Sequence, residues 1–148
     1  MSPRQPVPSA SDPRADVLPR WVRSLDDYWS WFAEQLDYSG GRLEDESVQI
    51  QVVEDEATGE RLALILGRQR IIFHGGSWLE FRVVVDRSLE QVEYNYHYSS
   101  AEGDLIWRMD KHPGHRELSH IHRPDERPDP SPEVDITDVL SEILKQLE

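Results

Sequence analysis

The histidines are the residues of this sequence most able to do chemistry. All six fall between residues 61 and 123, and four of them, His112, His115, His120 and His122, lie close together in one polar stretch. Imidazole changes its protonation state near neutral pH, so such a cluster suits general acid–base catalysis or metal ligation. If the chain is extended from His120 to His122, both rings lie on the same side. Composition alone leaves three interpretations open: a solvated loop, a metal site, or an acid–base cluster without a metal.

His97 lies in a run of alternating side chains, Tyr94-Asn95-Tyr96-His97-Tyr98. Alternate residues of a strand face opposite sides, so this pattern places the three tyrosines on one face and Asn95 and His97 on the other. A row of tyrosines usually packs into a core with its hydroxyl groups hydrogen-bonded. His97 is then either a structural residue or a catalytic imidazole on the polar side of the strand.

Arg108 and Asp110 alternate in the same way in the next strand-like run, where they share a face with Ile106. They form either a solvated ion pair or a clamp for phosphate, because a guanidinium group can bind phosphate through two parallel hydrogen bonds. The phosphate-binding loop of nucleotide hydrolases and the serine elbow of hydrolases are both absent from the sequence.

Helical patterns lie on either side of these segments. Ser24, followed by an acidic Asp27 at the capping-box position, precedes apolar residues at helical spacing, and this pattern ends before Gly40. Asp135 precedes a second apolar stripe, formed by Ile136, Val139, Leu140, Ile143, Leu144 and Leu147. The sequence therefore predicts one N-terminal and one C-terminal helix.

Between the helices, short strand-like runs are separated by turns. They cover residues 47–53, 61–66, 69–73, 78–85, 89–98 and 105–109, with no helix between them, which favours antiparallel pairing. We predict an α+β fold, in which a single antiparallel meander sheet of five or six strands is packed by the two helices. This single domain covers residues 20–148. It follows a proline-rich leader, residues 1–19, that we expect to be disordered.

The charge of the chain restricts the kinds of partner it can bind. The formal net charge is −13, which argues against a broad nucleic-acid surface. Residues 44–60 carry −7 and residues 124–148 carry −6, whereas residues 61–123 carry only +1. Local contacts to RNA therefore remain possible in the middle segment.

There is no cysteine and no apolar run of membrane-spanning length, so we expect a cytoplasmic protein without disulfides. The preference for arginine over lysine fits a GC-rich genome or a salt-adapted organism.

The order of these residues resembles a known family. The series begins with Tyr94-x-Tyr96-His97-Tyr98 and continues with Gly103-x-Leu105-Ile106-Trp107-Arg108-x-Asp110 and His112-Pro113-x-His115. A His-x-His pair, a Pro/Asp stretch and a helix near Asp135 follow. This arrangement is similar to that of the TumE family of toxin–antitoxin proteins, and the similarity covers roughly residues 60–147.

The resemblance implies a small intracellular toxin that is neutralised by a separate antitoxin, often a helix-turn-helix repressor. Small toxins with a Tyr/His/Arg site on an antiparallel sheet often cleave RNA without a metal, so we expect RNA as the substrate and no cofactor. The candidate catalytic residues are His97, Arg108, His112, His115 and Tyr96. The candidate substrate-binding residues are Tyr94, Asp110, His120 and His122.

Two other functions stay open at this point. The first is a non-catalytic interaction protein that binds a partner through its tyrosine face and its C-terminal helix. The second is a metalloprotein that uses the four clustered histidines, His112, His115, His120 and His122, as ligands.

Overall fold

The fold is known from a computed structural model that describes residues 18–44, 49–112 and 119–147. In these ranges there are two helices, α1 (Leu25–Tyr38) and α2 (Ile136–Leu147). The same ranges contain eight strands: β1 (Arg42–Leu43), β2 (Ile50–Glu54), β3 (Arg61–Ile72), β4 (Trp78–Asp86), β5 (Gln91–Ser99), β6 (Leu105–Lys111), β7 (Ser119–His122) and β8 (Asp129–Pro130). The first 17 residues of the predicted leader lie outside the described part of the chain.

The strands form one antiparallel sheet, so the predicted α+β class and meander are confirmed. From β3 to β8 each strand pairs with the next one along the chain, and both β1 and β2 pair with the outer edge of β3. The predicted number of strands, five or six, is too low, because the described residues contain eight. The three strands that the sequence did not indicate, β1, β7 and β8, have only two to four residues each, too few to show an alternating pattern.

One further correction concerns the predicted strands 61–66 and 69–73, which are a single strand, β3. Their pairing with β4 shifts at a bulge between Gly67 and Gln69. Gly67 has φ +122°, and a Cβ atom added there would lie 2.1 Å from the carbonyl oxygen of Phe81. Only glycine fits this close approach of two backbones, so the residue that interrupts the sequence pattern allows the strand to continue.

Both helices begin as the sequence predicts. The Ser24 hydroxyl accepts a hydrogen bond of 3.1 Å from the backbone N–H of Asp27. The Asp135 carboxylate accepts one of 2.9 Å from the N–H of Thr137, and the Asp138 carboxylate accepts one of 3.0 Å from the N–H of Asp135. These bonds satisfy N–H groups that have no partner within the first turn.

The core lies on one side of the sheet, where both helices pack. Four residues of the predicted α2 stripe are buried, whereas Leu144 and Leu147 at the end of the helix are exposed. The Phe32 ring of α1 lies 5.3 Å from the Phe81 ring of β4. The side chains of β4 alternate strictly between buried and half-buried positions, and neither helix of the described residues covers the opposite side of the sheet. We call this uncovered side the open face.

The Gly67 bulge yields a prediction about stability. Gly67→Ala should lower the free energy of unfolding by about 2 kcal/mol or more, because the new methyl group overlaps the Phe81 backbone at a strained φ. Gly59→Ala is the matched control, since Gly59 also has a positive φ, +74°, but no atom within 4 Å of the added Cβ. Urea unfolding measures both changes. Equal losses in the two variants would contradict the packing argument.

Candidate functional site on the open face

The register of the sheet arranges the polar residues of the open face in two parallel rows. One row crosses β4 to β7 through Glu80, His97, Arg108 and His122, which are directly paired from strand to strand. The adjacent row crosses the same strands through Arg82, Asn95, Asp110 and His120. Residues that are far apart in the sequence therefore lie side by side, and the predicted placement of both β7 histidines on one side is confirmed.

Asp110 is the buried centre of this arrangement, with only 2% of its side chain exposed. Its Oδ1 atom accepts a hydrogen bond of 2.6 Å from the Asn95 amide. Its Oδ2 atom accepts one of 3.0 Å from the Arg108 Nε atom. A buried carboxylate is unfavourable without such partners, so Asn95 and Arg108 explain why the charge is tolerated here.

Three imidazole rings converge on the same carboxylate oxygen. The Nε2 atoms of His122, His120 and His112 lie 3.0, 3.6 and 3.9 Å from Asp110 Oδ2. The His120 and His122 ring centroids are 4.6 Å apart. Both rings are largely shielded from solvent, with side-chain exposures of 16% and 21%. Such a group can orient and share protons, and its ring nitrogens can bind a metal ion.

Arg108 lies between two imidazoles of the first row. Its guanidinium contacts His122 Nε2 at 3.2 Å on one side, and on the other side His97 is its direct cross-strand neighbour. Side chains paired in this way have Cβ atoms about 5 Å apart. The open face therefore presents one guanidinium group with an imidazole on each side.

The pKa values of both flanking histidines are lowered from the ordinary value of 6.5. Burial is the main cause of the lowered pKa of His97, and the positive charge of Arg108 lowers it further, whereas Glu80 and Asp110 oppose the change. Burial also lowers the pKa of His122, again with help from Arg108 and against Asp110. Lower pKa values favour the neutral ring, which is the form that accepts a proton.

Aromatic and charged groups extend the site along the sheet. The Trp78 and His97 rings are parallel, with centroids 5.7 Å apart, and the Arg70 guanidinium lies 4.2 Å from the Trp78 ring centroid. An open depression of about 320 Å³ is lined by seven residues: Glu80, Phe81, Arg82, Glu93, Tyr94, Asn95 and His112. Trp78, Glu80 and Arg82 could not be singled out from the sequence, because β4 alternates like an ordinary half-buried strand.

Tyr94 and Tyr96, both named as site candidates from the sequence, lie on the opposite side of the sheet. They are 1% and 0% exposed, respectively, and belong to the core. The Tyr96 hydroxyl donates a hydrogen bond of 2.8 Å to Gln91, and the Tyr94 hydroxyl accepts one of 3.2 Å from the Val134 N–H. Gln91 in turn donates to the Val134 carbonyl at 2.7 Å. These tyrosines therefore attach the segment before α2 to the sheet, and we leave them out of the site.

Of the other candidate residues predicted from the sequence, six lie together and one lies outside the described residues. The structure brings together His97, Arg108, Asp110, His112, His120 and His122 on the open face. His115 lies outside the described residues, so its position relative to them stays open.

A comparison with protein-family models found a matching family. The model described as toxin TumE matches residues 41–148, which is more than two thirds of the sequence and includes the whole candidate site. The protein belongs to the TumE toxin family. It is therefore a toxin component of a toxin–antitoxin system, and an antitoxin is its expected partner. Comparisons with curated proteins and with solved structures gave no match.

The match to the TumE family begins at residue 41, after α1. The family match thus covers the sheet and α2, whereas α1 packs on the core from outside the matched segment. Among the described residues, neither helix has the length and the apolar character needed to cross a bilayer.

The lowered pKa of His97 in this TumE-family protein predicts a pH effect on stability. Because folding lowers this pKa, the unfolded chain binds more protons than the folded chain as the pH falls below about 7. The contribution of His97 to stability is full above its unfolded pKa and is lost as the pH falls towards the folded pKa. Relative to His97→Asn, the wild-type protein should lose unfolding free energy between about pH 7.5 and pH 5.

Chemical denaturation at several pH values measures this difference. The groups that face His97 are Glu80 of β4, Arg108 and Asp110 of β6, and Arg70 of β3, and all of them are retained in the variant. The lowered pKa would be contradicted if the unfolding free energy of the wild type, minus that of His97→Asn, stayed constant or rose as the pH fell.

Proposed function

We propose that this toxin acts by cleaving RNA, and that His97, Arg108 and His122 carry the reaction without a metal ion. The observation that supports this most is the position of Arg108 between two imidazoles on a sheet face that no described helix covers. Cleavage of an RNA strand needs one group that binds the phosphate, one that removes a proton and one that supplies a proton. This row provides all three.

In the proposed reaction, the guanidinium of Arg108 binds the non-bridging oxygens of the scissile phosphate. One neutral imidazole takes the proton of the ribose 2′-hydroxyl, and the 2′-oxygen then bonds to phosphorus. The other imidazole must be protonated to give a proton to the departing 5′-oxygen as the phosphorus–oxygen bond breaks, and its lowered pKa limits the fraction of molecules in that form. The products are a 2′,3′-cyclic phosphate and a 5′-hydroxyl end. Arg108 stabilises the additional negative charge of the five-coordinate phosphorus.

Asp110 supports the reaction indirectly. Its Oδ2 atom lies 3.0 Å from both Arg108 Nε and His122 Nε2, so it fixes the orientation of the guanidinium and of one ring. The same carboxylate also repels phosphate and competes for Arg108. Binding of RNA should therefore be local and sensitive to salt, as the overall charge of −13 also implies.

The charge distribution also suggests a mode of inhibition by the antitoxin. We infer that a basic antitoxin, of the helix-turn-helix type, binds the acidic segments 44–60 and 124–148, which carry −7 and −6. Electrostatic attraction would speed the encounter of the two proteins and make it dependent on ionic strength.

Two substitutions test the proposed reaction. His97→Ala and Arg108→Ala should each slow cleavage of a labelled RNA by roughly 100-fold or more, because each removes a group that acts in the transition state. Both should also relieve the growth arrest caused by expressing the toxin. The assay contains EDTA at low salt, and product ends are identified by mass spectrometry.

Matched controls separate chemistry from folding. Arg87→Ala removes an exposed arginine that is paired with Glu60, and Tyr96→Phe removes a buried hydroxyl on the core side, so both should retain cleavage. Circular dichroism and thermal unfolding establish that each variant is folded. RNA left uncut by the wild-type protein, or cut at the normal rate by folded His97→Ala and Arg108→Ala, would contradict the proposal. The protein would then be a binding module that is toxic by another route.

A further inference from the structure

Asp110, His120 and His122 have an arrangement that the proposed RNA cleavage does not require. Each of the three offers a ligand atom, and these atoms all lie within 4.8 Å of one another. Two imidazole nitrogens and one carboxylate oxygen form a donor set that zinc and related divalent metals bind in proteins.

The distances from the two imidazoles to the carboxylate fit a single ion. A tetrahedral Zn²⁺ with ligand bonds of about 2.0–2.1 Å holds its ligand atoms roughly 3.3 Å apart. The Nε2 atoms of His122 and His120 lie 3.0 and 3.6 Å from Asp110 Oδ2, on either side of that value. His112 Nε2, at 3.9 Å from the same oxygen, is close enough to serve as a fourth ligand after a small movement.

The surroundings of Asp110 also match those of a metal ligand. Its Oδ1 atom accepts a 2.6 Å hydrogen bond from Asn95, which fixes the carboxylate and directs Oδ2 towards the histidines. Carboxylates that bind metals are usually oriented by such a hydrogen bond on their second oxygen. Asp110 is 2% exposed and is therefore unlike the solvated acidic clusters that occur commonly on protein surfaces.

Arg108 competes with a cation at this position. Its Nε atom lies 3.0 Å from Asp110 Oδ2, and its terminal nitrogen lies 3.2 Å from His122 Nε2. A bound ion would have to take over both contacts and would be repelled by the guanidinium charge. Removal of the Arg108 charge should therefore strengthen metal binding while it abolishes the phosphate contact needed for RNA cleavage.

We propose that Asp110, His120 and His122, completed by His112, form a binding site for one Zn²⁺ ion. The ion uses the His122 Nε2 lone pair, so a zinc-bound molecule cannot use that ring to transfer protons. The metal-bound and cleavage-competent forms are thus alternatives at one site, and only this last consequence rests on the proposed function.

Metal titration of the purified full-length protein tests the site without any RNA. After removal of metal with EDTA and dialysis, Co²⁺ is added and its visible absorption is followed, and Zn²⁺ binding is measured by calorimetry. We expect one ion per chain. His120→Ala, His122→Ala and Asp110→Asn should each weaken binding by roughly tenfold or more, because each removes a ligand. Arg108→Gln should bind more tightly than the wild type.

The control is His74→Ala, which removes an exposed histidine from the turn between β3 and β4 and should leave metal binding unchanged. His120 and His122 are partly exposed, so their alanine variants test the site even if Asp110→Asn unfolds. No binding by the wild type, or binding that survives all three ligand substitutions, would overturn the inference. Failure of RNA cleavage would leave these results unaffected, because the metal titration contains no RNA.

Discussion

The buried carboxylate of Asp110 is the interaction on which the open face depends. A charge that is 2% exposed has to be balanced by nearby donors, and here Arg108, Asn95 and three imidazoles surround it. This requirement explains why polar groups from β5, β6 and β7 are held at fixed separations on a surface that no described helix covers. The Asp110 carboxylate therefore orients Arg108 and the three histidines around it. Both the proposed RNA cleavage and the proposed zinc binding use side chains from this group.

Residues that stabilise the core and residues of the candidate site alternate along the same strands, so they lie on opposite sides of the sheet. On the core side, Tyr94 and Tyr96 bind Val134 and Gln91, and so attach the segment before α2. On the open face, the intervening Asn95 and His97 belong to the two polar rows. The same five-residue run thus serves both sides, and a shift of one residue in register would exchange them.

The sequence was sufficient to predict features that depend on local patterns. The caps at Ser24 and Asp135, the opposite orientations of the tyrosines and His97, and the shared side of His120 and His122 all follow from helical or strand periodicity. Predictions failed where tertiary context decides: the Gly67 bulge joins two apparent strands, and short strands such as β7 are formed by pairing rather than by propensity. The central position of Asp110 is a consequence of register between β6 and β7, which no single segment encodes.

The most direct test of the central role of Asp110 is a double-mutant cycle on the free energy of unfolding, with Asp110→Asn and Arg108→Gln made singly and together. If Arg108 compensates the buried charge of Asp110, loss of the arginine should be less destabilising once the carboxylate is already an amide. We expect a coupling free energy of about 1–3 kcal/mol between the two positions. Effects that add to within about 0.5 kcal/mol would contradict it, because the two side chains would then be energetically independent and Asp110 would not organise the open face.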